Sequence, residues 1–247
     1  MGQKKLKRFA EIASFDHVLE YPENMAGKWH EHFGNNNPIV LELACGKGEY
    51  AVGLATMYPD KNFIGVDVKG NRIWVGAKRA LNEGLKNVAF LRSQIGMIEK
   101  YFAECEVSEI WLPFPDPQLR KSKAKKRLTH PAFLRKYQQF LRKDGYIHLK
   151  TDSPVLHAFT KMVIDIYGLQ LFEESDDISR DLKQNPELLI KTHYEGLNIA
   201  RSNRIHYLKF VLNTMLPIQK DEILAAMVKE KETGETEGST IDEEETD

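Results

Sequence analysis

The sequence predicts an α/β fold, a mostly parallel sheet with helices on both faces. Short, continuous apolar runs recur from residue 38 onward, each too apolar for a strand with one face in water. Between them lie segments whose apolar residues recur at helical spacing, as β-α alternation requires. A glycine-bearing loop, ACGKG, follows the first run, at the strand end where such sheets bind ligands.

PIVLEL (38–43) reads as the first buried strand, and GEYAVGLATMY (48–58) as a helix turning Tyr50, Leu54 and Met57 inward. NFIGVDV (62–68) is the second strand, followed by a helix over 71–83. NVAFLR (87–92) is the third strand, and QIGMIEKYF (94–102) its helix. EIWLPF (109–114) is the fourth strand, with a helix at about 131–142. GYIHLKT (145–151) is the fifth, leading to a helix over 154–166. After residue 168 the pattern changes. LQLFEES and RIHYLKFVLN lack a core helix between them and predict an antiparallel hairpin at one sheet edge. Residues 1–37 are polar and irregular and are assigned to an N-terminal extension, 38–217 to the main domain.

The composition, 42% hydrophobic and 29% charged, is that of an ordinary globular chain. No apolar run approaches the ~20 residues of a membrane helix, and the basic N-terminus lacks the apolar core of a signal peptide. Cys45 and Cys105 make no disulfide framework and fit a reducing cytoplasm. The net charge of −1 conceals an asymmetry, because acid is concentrated in residues 218–247 and the preceding body is cationic. That acidic tail is expected to be disordered.

Chemistry is expected at the strand ends. Gly46 and Gly48 allow a tight turn close to a ligand. Glu42, just before the loop, would repel a pyrophosphate but pair with a cationic ligand, which favours S-adenosylmethionine over a dinucleotide. Asp67 suits a ribose diol; its alternative role is to cap the next helix. Gln94 is placed to meet an adenine edge or simply to face solvent. Cys45 has no histidine beside it in sequence and reads as a small loop residue. The eight histidines show no metal-ligand spacing, and no metal is expected.

PFPDP follows the fourth strand. Pro113, Pro115 and Pro117 fix alternate φ angles and hold Asp116 with little freedom to lose. Arg120, Lys121, Lys123, Lys125, Lys126 and Arg127 then crowd eight positions, as expected for phosphate binding. Thr129 is placed to cap the next helix. LKTDSP brings Lys150, Thr151 and Asp152 to the same edge, with Asp152 a candidate cap.

Together these stretches resemble the tRNA (guanine-N7-)-methyltransferases. LELACGKGEY, FIGVDVKGNR, IWLPFPDPQLRKSKAKKRLTHPAFL, LKTDSP and THYE follow in that family's order, over about residues 28 to 210. The PFPDP–basic–RLTHP segment is the specific part, since the glycine loop is common to all class I methyltransferases. The resemblance implies a Rossmann-like, seven-stranded sheet with one antiparallel strand, S-adenosylmethionine as donor, and a guanine in the tRNA variable loop as acceptor. It implies cofactor positions at Glu42, Gly46, Gly48, Asp67, Gln94 and Asp116, with Asp116 also catalytic. It implies tRNA contacts at Arg120, Asp152, Thr192, His193, Tyr194 and Glu195. A cytoplasmic monomer or homodimer is expected. Ala44, Gln94 and Gln118 depart from the family pattern. Alternative readings are an amino-methyltransferase acting on an exocyclic nitrogen, a nicotinamide-dependent dehydrogenase and a non-catalytic RNA-binding protein.

Overall fold

The computed structural model describes residues 2–195 and 204–237. Its centre is a single eight-stranded sheet. The strands are β1 (Val18–Glu20), β2 (Ile39–Leu43), β3 (Asn62–Asp67), β4 (Val88–Arg92), β5 (Val107–Pro113), β6 (Leu141–Thr151), β7 (Gln170–Ser175) and β8 (His206–Val211). Their order is β1-β4-β3-β2-β5-β6-β8-β7. All neighbours pair in parallel except that β8 runs antiparallel to both β6 and β7. The predicted hairpin therefore forms, with β7 outermost.

The central strands are buried along their whole length, β2 and β3 at every position. Continuous apolar runs are what a sheet covered on both faces demands. One apolar cluster, around Leu41, Ile64, Leu112 and Phe210, fills one side of the sheet, and a second, around Val40, Tyr50, Phe90 and Trp111, fills the other.

α3 (Glu49–Met57) buries Tyr50 and Leu54 as expected, but Met57 is exposed at its last position, and Ala51 and Ala55 complete the inner face. α4 (Gly70–Asn82) crosses the glycine loop very closely. A Cβ on Gly76 would lie 2.5 Å from the Lys47 carbonyl oxygen, so only glycine allows this approach. The predicted third helix is a 3-10 turn, Ile95–Lys100. α5 (Pro131–Tyr137) is shorter than predicted, because the chain from Leu141 already belongs to β6. α6 (Pro154–Tyr167) matches.

The count of seven strands becomes eight because the N-terminal segment contributes one. α1 (Gly2–Ile12) packs on α4, with Trp74 Nε1 donating to Glu11 Oε2 at 2.9 Å. β1 then adds to β4 in parallel. A short helix, α2 (Trp29–Phe33), buries Trp29, whose Nε1 donates to the Tyr101 carbonyl at 2.8 Å. A strand of three residues carries too little periodicity to be read from sequence.

The chain also differs at the start of its acidic tail. Following the four-residue α7 (Ile178–Asp181), the last helix among the described residues is α8 (Lys220–Glu237). Leu224 and Val228, one helical turn apart, face the core beside α6. Arg135 donates to both carboxylate oxygens of Asp221 and anchors the helix start. The charge count had hidden this short apolar stripe. Residues 238–247 lie outside the described residues.

Candidate active site

The parallel strands β3, β2, β5 and β6 are neighbours, and their carboxyl ends share one edge. That edge carries Asp67, Glu42, the PFPDP turn and Asp152, so the sheet brings together residues scattered along the sequence.

Glu42 is 3% exposed, and its Oε2 accepts from the Ala51 amide at 2.8 Å. Burial pushes its carboxyl well above the usual range; the Ala51 bond opposes this, and Glu49 and Asp67 add repulsion. Such a group gains most from a cationic partner. Asp67 is also buried. Its Oδ2 accepts from the Gly46 amide at 2.9 Å and its Oδ1 from the Lys69 amide at 2.8 Å. Asp67 therefore fixes the glycine loop, and both oxygens keep a lone pair for a ligand hydroxyl. Gly48 sits at φ 69°, and a Cβ there would strike the Phe90 ring at 2.5 Å. Its smallness serves packing beneath the loop. Gly46 faces the Tyr194 ring. Gln94 is exposed at the start of the 3-10 turn after β4. Cys45 is buried, and burial with the nearby Glu42 and Asp67 pushes its thiol up, which is the reverse of an activated nucleophile.

Asp116 is exposed, with its Oδ1 accepting from the Gln118 amide at 2.9 Å. Phe114 and Gln118, on either side, hold left-handed φ values of 50° and 46°, which cost non-glycine residues on the order of 1 kcal/mol each. Phe114 donates its amide to the Lys150 carbonyl at 2.7 Å. Arg127 holds the other side. It is 2% exposed; its Nε donates to the Pro117 carbonyl at 3.0 Å and its Nη2 to the Gln118 carbonyl at 3.3 Å. Its guanidinium lies 4.5 Å above the Phe159 ring. This corrects the grouping of Arg127 with the phosphate-binding cations: it is a buried clamp on the aspartate turn. Arg120, Lys123, Lys125 and Lys126 are exposed on or beside the 3-10 turn Lys121–Lys126.

Two capping assignments are also corrected. His130, not Thr129, caps α5, its Nδ1 accepting from the Ala132 amide. Thr129 is buried and shares a hydrogen bond with Thr160. Ser153, not Asp152, caps α6. Asp152, partly buried, follows directly on β6 at the ligand edge.

Thr192 to Glu195 fold over the glycine loop. Lys150, fully buried, donates its ammonium to the Leu188 and Ile190 carbonyls and to Glu195 Oε2, at 2.9, 3.0 and 2.9 Å. Burial lowers its pKa, and Glu195 acts in the opposite direction. Thr192 Oγ1 accepts from the Glu195 amide, and the His193 amide donates to Glu49 Oε1. The Tyr194 ring carries the Arg72 guanidinium 5.5 Å from its centroid. A cleft of about 380 Å³ opens there, lined by Arg8, Lys47, Asn71, Arg72, Val75, His193 and Tyr194. Sequence reading missed Lys150 as a tether and Arg8 and Arg72 as cations lining this cleft. Only the strand-end position of Lys150 is visible in the sequence.

A family model described as "Putative methyltransferase" matches residues 36–208. A tRNA (guanine-N(7)-)-methyltransferase of Bacteroides thetaiotaomicron is 49% identical over 232 residues, covering 90% of this chain and 91% of the relative. The chain belongs to the tRNA (guanine-N7-)-methyltransferase family. A Bacteroides fragilis member of that family is 51% identical over 221 residues, covering 86% and 87% of the two chains. Among solved structures, the 16S rRNA methyltransferase KamB matches with a TM-score of 0.58 at 15% identity, covering 81% of this methyltransferase and 99% of KamB. At that identity the likeness concerns the Rossmann-like fold. Among the described residues no helix is long and apolar enough to cross a membrane.

Proposed function

We propose that this chain transfers a methyl group from S-adenosylmethionine to N7 of a guanine in the variable loop of tRNA, in the cytoplasm, through a catalytic unit spanning residues 38–217. The observation that carries the reading is the pairing of two buried strand-end carboxylates, Glu42 and Asp67, with a clamped aspartate turn followed by exposed cations. Relatives of closely similar length are named tRNA (guanine-N(7)-)-methyltransferases.

When bound, S-adenosylmethionine supplies an electrophilic methyl group on a positively charged sulfur. Glu42 meets the donor's cationic end, Asp67 its ribose hydroxyls and Gln94 its adenine edge, with Gly46 and Gly48 forming the loop between them. Guanine N7 has an in-plane lone pair and no proton, so the chain need not supply a general base. Its work is alignment of the two reactants. Asp116 accepts hydrogen bonds from the N1–H and N2–H edge of the base and stabilises positive charge as it develops on the purine. Arg120, Asp152 and Thr192–Glu195 hold the RNA around that base.

Glu42→Gln separates stability from binding. A carboxyl whose folded pKa is raised adds stability that is full below its unfolded pKa and lost as pH rises through the folded one. At neutral pH the glutamine variant, which cannot ionise, is expected to melt higher than the parent. Loss of a charge-assisted hydrogen bond of about 1.5–3 kcal/mol is expected to weaken donor binding roughly 10- to 100-fold. Calorimetry and titration with the donor measure both.

The exposed cations give a second expectation. Changing Lys123, Lys125 and Lys126 together to Ala should flatten the salt dependence of tRNA affinity, by about one unit of log–log slope for each phosphate no longer neutralised. An unchanged slope would show that these side chains are merely solvated.

Incubation with bulk tRNA and labelled donor, followed by nucleoside mass spectrometry and aniline cleavage mapping, tests the reading. N7-methylguanosine at a variable-loop position supports it. Methylation of an exocyclic amine, or no transfer, overturns it.

A further inference from the structure

The fold brings together three residues that lie far apart in the sequence and that the proposed reaction does not use. His157 lies in the first turn of α6, Asp176 just after β7, and His206 at the start of β8. Asp176 Oδ1 is 3.8 Å from His157 Nδ1 and 3.7 Å from His206 Nδ1. The His157 and His206 side chains are only 7% and 10% exposed, and their rings stack with centroids 4.7 Å apart. His157 Nε2 and His206 Nδ1 are buried without a hydrogen-bond partner.

We propose that His157, Asp176 and His206 bind one divalent transition-metal ion, Zn²⁺ foremost, in a site separate from the methyl-transfer centre. The separations carry the assignment. The two Asp176–histidine distances are too long for hydrogen bonds, yet only slightly longer than the ~3.3 Å edge of a tetrahedron with metal–ligand bonds of about 2.0–2.2 Å, and one donor atom from each residue lies within 4.8 Å of the other two. Small side-chain rotations would close the three donors on one ion. Two neutral imidazoles and a carboxylate are a donor set that Zn²⁺, Co²⁺ and Ni²⁺ favour over Mg²⁺ or Ca²⁺. The exposed face of Asp176, 64% accessible in its side chain, leaves room for a water as fourth ligand. The surroundings supply an outer carboxylate as well. Glu174 Oε1, held by Lys161, lies 4.0 Å from His157 Nε2, so the same small rotations would let it accept a hydrogen bond from that nitrogen and orient the ring once the other nitrogen is bound to metal.

The position gives the ion a structural task. His206 is in register with Thr151, the residue before Asp152. An ion here would pin the β7–β8 hairpin to α6 and stiffen the strand end that presents Asp152.

The test uses tag-free full-length chain with Co²⁺ alone, then Zn²⁺. One equivalent of Co²⁺ with visible absorption of a low-coordinate site, displaced by Zn²⁺ and accompanied by a higher thermal midpoint, is expected. Asp176→Asn is largely solvent-exposed and keeps the fold; with His206→Gln it is expected to lose at least about tenfold in Co²⁺ affinity, by analogy with the 10- to 100-fold loss from outer-shell changes. His32→Gln, remote from the trio, should bind as the parent does. Absence of stoichiometric binding, or binding that Asp176→Asn and His206→Gln leave intact, would overturn the site and leave a water-bridged trio.

Discussion

Asp116→Asn is expected to lower the rate of methyl transfer about 100- to 1,000-fold while donor affinity stays within a few-fold of the parent. The size follows from removing one preorganised charge aimed at the reacting base, which typically costs about 3–4 kcal/mol in the transition state. The asymmetry follows from the geometry. The Asp116 side chain is exposed, and its described hydrogen bond is to its own turn, through Gln118. Asparagine can accept that same bond, so the turn survives and only the charge and one acceptor are lost. Single-turnover rates at saturating tRNA and donor are the measurement. A turnover near that of the parent would remove Asp116 from the chemistry and leave it as a turn residue.

Lys150→Met is expected to be the most destabilising single change near the site, by about 3–5 kcal/mol, with loss of tRNA binding in whatever protein remains folded. Its ammonium lies in the core, satisfied by two backbone carbonyls and Glu195. Removing it leaves an inward carboxylate and two carbonyls unpaired, the situation in which a broken buried pair costs most. Lys150→Met with Glu195→Gln should recover part of the loss, and Glu195→Gln alone should be mild. Denaturant melts of the three variants measure this. A loss in the double variant equal to the sum of the two single losses would mean that the pair is not coupled.

The strands β2 to β5 and the second half of β6 were legible because each carries a short apolar run, and that signal survives any arrangement of the helices around it; the largely polar start of β6, from Leu141 to Asp144, was not. The strand-end carboxylates were legible for the same reason: once the strands are placed, their ends are placed. What escaped is information that only packing creates. Arg127 has the same chemistry as the lysines before it, and its burial depends on Phe159 and the Pro117 carbonyl, which sequence order does not bring near. The β1 strand has a partner rather than a pattern. Leu224 and Val228 make a helix face only because α6 is there to meet it, so the surrounding acid dominated the reading.

The fold of the Thr192–Glu195 segment over the glycine loop has a thermodynamic corollary. Tyr194 rests against Gly46, and the His193 amide bonds to Glu49, so the segment proposed to hold RNA is built partly on the loop proposed to hold the donor. Two ligands resting on the same stretch of backbone are expected to bind with coupled affinities. Whatever factor a nonreactive donor analogue applies to the affinity for tRNA, tRNA must apply in equal measure to the analogue, and that reciprocity makes the cooperativity measurable from either side.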